Sequence, residues 1–231
     1  MTSPSPRTPL VIASGNAGKI REFAGLLAHL PLEVRQQPEG LEVEETGSSF
    51  AANARLKAEA VARATACWAL ADDSGLAVTA LGGAPGVHSA RYAATDAARI
   101  ARLLRELAAA LAASSAVPSG SGSPPPATAL HGAGGADRSA RFTAALALAD
   151  PQGQIRLEVE GHCQGLILEA PRGTGGFGYD PVFLVPELGQ TFAEINKASK
   201  GRIGHRGRAF ALLEPGLRQL LGGAATTEAA R

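Results

Sequence analysis

The chain has 231 residues with 22 basic and 21 acidic side chains, and its formal net charge is +1. This length gives ample material for a core, and the near-neutral balance does not support nucleic-acid wrapping or membrane-surface binding. Cys67 and Cys163 match no metal-ligand spacing and favour a reduced, cytoplasmic setting. No uninterrupted apolar span reaches membrane length, and the polar, proline-broken start differs from a secretory signal.

The first predicted element is a buried strand over 10–13, followed by the loop Ser14-Gly15-Asn16-Ala17-Gly18-Lys19 and a helix. Such a loop points backbone N–H groups and the positive end of the helix at an anion. Lys19 adds a point charge and Asn16 a fork of donors. The loop is not a Walker A motif, which needs a Gly at Ala13 and a Ser or Thr at Ile20. A tight turn with a solvated lysine is the alternative.

Residues 32–43 predict a second strand and turn, after which Glu44 and Glu45 precede a helix that Ser48 or Ser49 can cap. One glutamate of this pair belongs either to a metal site or to an ordinary acidic stretch. On the helix, Asn53 and Lys57 lie one turn apart and share a face.

The chain is organised around residues 69–76, where a short apolar run is predicted to end at Asp72 and Asp73 before a second run begins at Leu76. An ionised carboxylate left unpaired beside a core strand costs roughly several kcal/mol, so a partner is expected. A hard divalent cation with oxygen ligands is one candidate. A turn in which aspartate caps its own backbone is the other.

In the middle of the chain, only the helix that begins after Thr95 is interpreted as structural. Residues 81–87 form a loop that needs unusual backbone angles, and Thr95 caps a helix with an apolar stripe. The Ser/Gly/Pro/Ala composition of 114–138 predicts a low-complexity insert loop that cannot bury a core. Residues 142–149 and 155–161 predict an antiparallel hairpin around 150–153, and 166–168 predict a third strand.

The last chemical stretch begins with a glycine loop, 173–181, that carries Phe177, Tyr179 and Asp180. Because the chain has only ten aromatic residues, this loop favours Phe177 as a stacking platform over a core position. Lys200, His205 and Arg206 follow and lead into a final helix that Pro215 is predicted to kink or end. A surface feature is the alternative for the His-Arg pair.

Together, an anion-binding helix start, a carboxylate cluster, an aromatic platform and cationic donors describe a nucleoside-triphosphate site. The carboxylates would hold Mg²⁺, which bridges phosphate oxygens. One carboxylate could also take a proton from water. The residues therefore predict a Mg²⁺-dependent nucleotide hydrolase without choosing the scissile bond.

Six stretches, in order, resemble the motif set of the inosine triphosphate pyrophosphatase (dITP/XTP pyrophosphatase) family. They are Ser14-Gly15-Asn16-Ala17-Gly18-Lys19, Glu44-Glu45-Thr46-Gly47, residues 71–76, residues 82–92, residues 175–181 and His205-Arg206-Gly207. The resemblance implies an elongated two-lobed α/β fold with a long mixed β-sheet flanked by helices and an active-site cleft between the lobes. It also implies a homodimer and one domain over 10–221, between disordered tails at 1–9 and 222–231.

The resemblance further implies hydrolysis of ITP, dITP and XTP to the monophosphate and pyrophosphate with Mg²⁺. Asp73 would be the proton acceptor and a metal ligand, Glu45 the second ligand, and Asp72 would assist. The substrate-binding residues would be Ser14, Gly15, Asn16, Ala17, Gly18 and Lys19 for the triphosphate, Ser74, and Phe177, Gly178, Tyr179, Asp180, Lys200, His205 and Arg206 for the purine. Donors facing position 6 of the purine would favour an oxo group over an amino group.

The sequence departs from the family pattern at two places. The 114–138 insert is longer than usual, and Gly204 stands where a serine commonly precedes His-Arg, so a helix cap or a local hydrogen bond is in question. Three alternatives remain: a pyrophosphatase for pyrimidine or modified nucleotides, a nucleotide-binding module without turnover, and a nucleic-acid binder. Extra negative charge at Glu45 and Asp73 argues against the second, and the near-neutral balance against the third.

Overall fold

The structure is a computed structural model that describes residues 7–115 and 137–222. Seven strands form one mixed sheet in the order β2-β1-β3-β4-β5-β6-β7. They are β1 (Thr8–Ala13), β2 (Leu32–Gln36), β3 (Trp68–Val78), β4 (Ser139–Ala149), β5 (Ile155–Ile167), β6 (Phe183–Val185) and β7 (Gln190–Thr191). β1 pairs parallel with β2 and β3, whereas β6 pairs antiparallel with β5 and β7. The predicted mixed α/β sheet is confirmed.

The helices are α1 (Ala17–Leu27), α2 (Phe50–Thr65), α3 (Asp96–Ser115), α4 (Lys197–Ile203) and α5 (His205–Gly222). Short 3₁₀ segments lie at Thr79–Leu81, Gly86–Arg91, Asp180–Val182 and Pro186–Leu188. Ser49 caps α2, since its side chain accepts from the Ala52 amide, and the Thr95 hydroxyl accepts from the Ala98 amide at the start of α3. Both predicted caps are therefore confirmed. Within the described ranges, no helix combines the length and apolarity needed to cross a bilayer.

The described residues fall into two compact units. The first contains the residues up to Gly75, Phe142–Cys163 and the segment from Ile195 onward, and the second contains Leu76–Arg141 and Gln164–Glu194. Most of the predicted 114–138 insert, most of the N-terminal tail and all but the first residue of the C-terminal tail lie outside the described residues. β1 begins at Thr8, two residues before the predicted start.

The sheet of the first unit is buried on both faces, which explains the continuous apolar run of β1. Alternate residues of a strand point to opposite faces, so Leu10 and Ile12 join a cluster with α1 and α5, while Val11 and Ala13 join one with α2. The α2 cluster is rich in alanine. On β3, Leu70 belongs to the first cluster, and Ala69 and Ala71 belong to the second.

The prediction that this strand ends at Asp72 and Asp73 is wrong, because β3 continues through both to Val78. Aspartate is uncommon within strands, which made the pair look like a boundary. The alternation of Leu70 and Ala71 carries on through the carboxylates. Asp72 therefore points to the α1/α5 face and Asp73 to the α2 face.

Two further expectations are corrected. Residues 166–167 do not begin a third strand, because β5 continues to Ile167 and pairs there with β6. α5 does not end at Pro215 but runs on to Gly222. Buried Leu217 and Leu221, two and six residues beyond the proline, pack into the α1/α5 cluster and hold the helix together despite the lost amide hydrogen bond. The predicted hairpin is confirmed, with Asp150 accepting the backbone amides of Gln152 and Gln154.

Candidate active site

Asp72 lies on the α1/α5 face of β3 and is 2% exposed. Its Oδ2 accepts from Lys19 Nζ at 2.9 Å, Ser74 Oγ at 3.0 Å and Arg206 Nε at 3.1 Å. Its Oδ1 is buried and has no hydrogen-bond partner among the residues that the structure describes. Burial by itself would raise the pKa of this carboxyl, but Arg206 and Lys19 outweigh it and hold the pKa well below its ordinary value.

A chain of alternating charges continues from Asp72. Arg206 donates from Nη1 to Glu22 Oε2 at 2.9 Å and from Nη2 to Ser74 Oγ at 2.5 Å. The other oxygen of Glu22 lies 2.8 Å from Lys200 Nζ. Glu22 was missed in the sequence; its signal was the three-residue spacing from Lys19, which puts both on one side of α1.

Asp73 lies on the α2 face and is 6% exposed. Its Oδ1 accepts from Lys57 Nζ at 2.9 Å, and its Oδ2 accepts from Asn53 Nδ2 at 3.2 Å. Burial raises the pKa of Asp73 above its ordinary value, although Lys57 opposes this. The pKa values of the two adjacent carboxyls, Asp72 and Asp73, are thus shifted in opposite directions.

Lys57 also connects Asp73 to Glu45. Its Nζ lies 2.8 Å from Glu45 Oε1 and 3.0 Å from the Asp72 carbonyl oxygen. The Asn53 side-chain oxygen accepts from the Gly47 amide at 2.8 Å, which fixes the segment that carries Glu45. Asn53 and Lys57 were noted in the sequence as neighbours on one helical face but were not assigned a role.

The donor set of Glu45 and Asp73 fits a hard divalent cation. Both carboxylates contact one ammonium group, so their oxygens already converge on a single positive charge. No group of three or more His, Cys, Asp or Glu suited to a metal occurs in the described parts of the chain. Two carboxylates are nevertheless enough for Mg²⁺, which usually takes its other ligands from substrate phosphates and water.

The loop before α1 is organised by Asn16. The Asn16 side-chain oxygen accepts the backbone amides of Gly18 at 2.8 Å and Lys19 at 3.1 Å, and the Asn16 amide donates to Ser14 Oγ. Two backbone N–H groups that were predicted to face an anion thus donate to the Asn16 side chain instead. That side chain acts here as an acceptor, although it was predicted to supply donors. The alternative of a solvated Lys19 is wrong, because its side chain is only 14% exposed and is paired with Asp72.

His205, the first residue of α5, is buried and stacks on Phe142, with ring centroids 4.6 Å apart and planes within 9°. Burial, reinforced by the nearby Arg206 charge, lowers its pKa well below the usual value for histidine. His205 is therefore neutral at pH 7, and the expectation that it adds to a cluster of cationic donors is corrected. The positive charges of that cluster come from Lys200 and Arg206.

Gly204 joins α4 to α5 without a side-chain cap. Its amide donates to the Lys200 carbonyl, and its own carbonyl accepts the Arg208 amide at 2.9 Å. A Cβ at this position would lie 2.6 Å from the Lys200 carbonyl oxygen. The departure from serine thus suits the close junction in this chain.

The glycine loop lies in the second unit. Asp180 accepts the Phe177 amide at 2.9 Å, Asp96 accepts the Gly178 amide at 2.7 Å, and the Tyr179 hydroxyl donates to the Ser89 carbonyl. Tyr179 and Asp180 are buried, whereas Phe177 is half-buried. The polar groups of Tyr179 and Asp180 thus hold the loop itself, and their predicted contact with a purine remains a prediction.

The fold and these side chains define an α/β protein with a buried, charge-rich site of carboxylates and cations. The model of the Ham1 family matches residues 10–118 and 127–215. A dITP/XTP pyrophosphatase of Parasynechococcus marenigrum (strain WH8102) is 57% identical over 212 residues, covering 92% of this chain and 96% of that protein. One of Prochlorococcus marinus (strain MIT 9313) is also 57% identical, covering 92% of each.

Solved structures agree. A HAM1 protein from Coxiella burnetii superposes with a TM-score of 0.74 at 39% identity, covering 92% of this chain and 99% of that chain. A nucleoside-triphosphatase / dITP/XTP pyrophosphatase from Mycobacterium abscessus gives 0.62 at 37% identity, covering 90% and 100%. The chain belongs to the Ham1 family, and the family resemblance predicted from its six motifs is confirmed.

Proposed function

We propose that this chain hydrolyses deaminated purine nucleoside triphosphates, namely ITP, dITP and XTP, to the monophosphate and pyrophosphate. The observation that carries the proposal is the convergence of Glu45 and Asp73 on one cation, beside buried Lys19 and Arg206. Carboxylates, a cation and phosphate-binding lysine are the parts that phosphoryl chemistry requires. The substrate class comes from the relatives, which are dITP/XTP pyrophosphatases.

Glu45 and Asp73 would hold Mg²⁺. When bound, the ion would neutralise phosphate charge and polarise the anhydride that is cleaved. Lys57, which contacts both carboxylates, keeps the pair together. Asn53 orients Asp73 through its second oxygen.

Asp73 is the proposed proton acceptor for the attacking water. The neighbouring Asp72 is less suited to that task because Arg206 and Lys19 hold its pKa well below the ordinary value despite its burial, which makes it a weak base. Among the residues that the structure describes, Asp73 has Lys57 and Asn53 as hydrogen-bond partners, one at each oxygen, and burial raises its pKa. Its position on the α2 face also puts it on the same side as Glu45.

Lys19 and residues 14–18 would bind the triphosphate, with Lys19 as the charged contact. Lys200 and Arg206 would supply donors to the 6-oxo group of the base, and Phe177 a stacking face. Adenine would present an amino group to those donors and leave them unpaired, which disfavours ATP. Ser74, His205, Gly178, Tyr179 and Asp180 complete the proposed substrate-binding set.

Product analysis tests this proposal. With ITP and Mg²⁺ the expected products are IMP and pyrophosphate, whereas IDP and phosphate would contradict it. A panel of ITP, XTP, ATP, dTTP and UTP decides between this activity and the alternative pyrimidine or modified-base preference. Turnover of dTTP or UTP above that of ITP and XTP would favour the alternative.

Two remaining parts of the proposal, a homodimer and a single catalytic domain over 10–221, rest on the resemblance. The cytoplasmic location rests on the two cysteines, and a small-molecule substrate without nucleic-acid or membrane partners is supported by the near-neutral charge. A size measurement in solution tests the homodimer directly.

A further inference from the structure

One carboxylate oxygen joins two cations from different helices. Asp72 Oδ2 lies within 3.1 Å of Lys19 Nζ from α1 and of Arg206 Nε from α5. Ser74 closes the arrangement, because its hydroxyl donates to the same oxygen and accepts from Arg206 Nη2. The same oxygen of Asp72 thus contacts both the Lys19 ammonium and the Arg206 guanidinium.

Burial makes this arrangement stiff. The side chains of Lys19, Arg206 and Asp72 are 14%, 7% and 1% exposed. Buried charges need a partner, since the cost of an unpaired ion far exceeds that of a surface charge. Without the carboxylate, the two cations would repel each other across the place that it occupies.

The two cations have separate tasks in the proposed function. Lys19 stands at the start of α1 after the loop assigned to the phosphates. Arg206 is assigned to the base and is also tied through Glu22 to Lys200. Asp72 therefore stands between the group that binds the phosphate tail and the groups that recognise the purine.

We propose that Asp72 is a positioning residue that couples Lys19 to Arg206, so that recognition of the base and placement of the phosphates depend on each other. This inference rests on the proposed function. A base that displaces the Arg206 guanidinium also disturbs Asp72, and through it the Lys19 ammonium. Part of the discrimination between ITP and ATP is then expressed in kcat, because a misplaced lysine slows turnover of a bound substrate.

A double-mutant cycle tests the coupling. Lys19→Ala, Arg206→Ala and the double variant are made in the wild-type chain and again with Asp72→Asn, and kcat and KM are measured for ITP and ATP. In the wild-type background, the loss of kcat/KM in the double variant should differ about tenfold from the product of the losses in the two single variants. With Asp72→Asn the departure should vanish, and the ITP/ATP ratio of kcat should fall.

A matched control is available on α5. Arg208 lies two residues from Arg206 but donates to the His162 carbonyl instead of Asp72. Arg208→Ala should combine multiplicatively with Lys19→Ala. If Asp72→Asn does not fold, Ser74→Ala removes the bridging hydroxyl alone and should reduce the coupling between Lys19 and Arg206.

The outcomes separate the two proposals. Multiplicative effects of Lys19→Ala and Arg206→Ala in a wild type that makes IMP and pyrophosphate would overturn the coupling only. An equal loss for ITP and ATP with Asp72→Asn would also overturn it, since that is what a merely structural role produces. If the wild type does not turn over ITP, the proposed function fails, and the cycle is then read from the free energy of unfolding and from the affinity for inorganic triphosphate.

Discussion

Lys57 Nζ lies 2.8 Å from a Glu45 oxygen and 2.9 Å from an Asp73 oxygen, so a single ammonium group holds together two carboxylates that are distant in the sequence. It does so from α2, the helix that covers the alanine-rich face of the sheet.

Lys57→Met should destabilise the metal-free protein, because Glu45 and Asp73 would then face each other without a positive charge. Breaking a buried ion pair on one side costs about 3–5 kcal/mol. Added Mg²⁺ should raise the Tm of this variant more than that of the wild type. Lys57→Arg, which keeps the charge, is the matched control, and an equal Mg²⁺ response in both variants would count against a metal held by these carboxylates.

Asp73→Asn should retain the fold and lose nearly all turnover of ITP. The amide is nearly isosteric with the carboxylate but neither accepts a proton nor binds a cation strongly. The measurements are kcat and the circular dichroism spectrum. An unchanged kcat would remove Asp73 from the mechanism.

Lys19→Ala should lower kcat/KM by roughly 10- to 100-fold for both ITP and inorganic triphosphate, as expected from the loss of one hydrogen bond between charged groups. The measurement is kcat/KM with ITP and inorganic triphosphate, the second of which carries no base. A loss confined to ITP would show that the phosphates lie elsewhere.

Stability should fall as the pH drops below about 6.5, partly because of His205. Its pKa is lowered in the folded state, so the unfolded chain binds a proton that the folded chain does not. The free energy of unfolding therefore rises as the pH increases from the lowered pKa of folded His205 to about 6.5. The same stability is lost as the pH falls through that range.

Denaturant unfolding at a series of pH values measures this effect. His205→Phe, which can still stack on Phe142, should flatten the pH dependence relative to the wild type. His88→Gln, at an exposed histidine, is the control and should leave it unchanged. A slope that survives His205→Phe would contradict the assignment to His205.

Local chemistry predicted much of the fold. The capping residues Ser49 and Thr95, the continuous apolar run of β1 and the turn at Asp150 all act within a few residues, so the sequence alone identifies them. The path of β3 through Asp72 and Asp73 could not be predicted in this way. Two charges inside a strand are tolerated only because cations from α1, α2 and α5 reach them, and those contacts are long-range.

The family motifs identified more residues of the candidate site than local chemistry did. Glu22 and Lys57 have no motif of their own, and each acts by holding residues that do. His205 was grouped with Lys200 and Arg206 in a cluster of cationic donors. Its burial against Phe142, a residue of β4, is a long-range contact that the local sequence could not show.

The register of β3 has a consequence for how the site could change. Ala71 stands opposite Ala13 of β1, and this pairing decides which side of the sheet each following residue meets. A slip by one position would exchange the surroundings of the two aspartates. Asp72 would then face the ammonium of Lys57, and Asp73 would face the guanidinium of Arg206. Insertion or deletion of a single residue between Trp68 and Ala71 should therefore inactivate the protein even where every side chain of the site is kept.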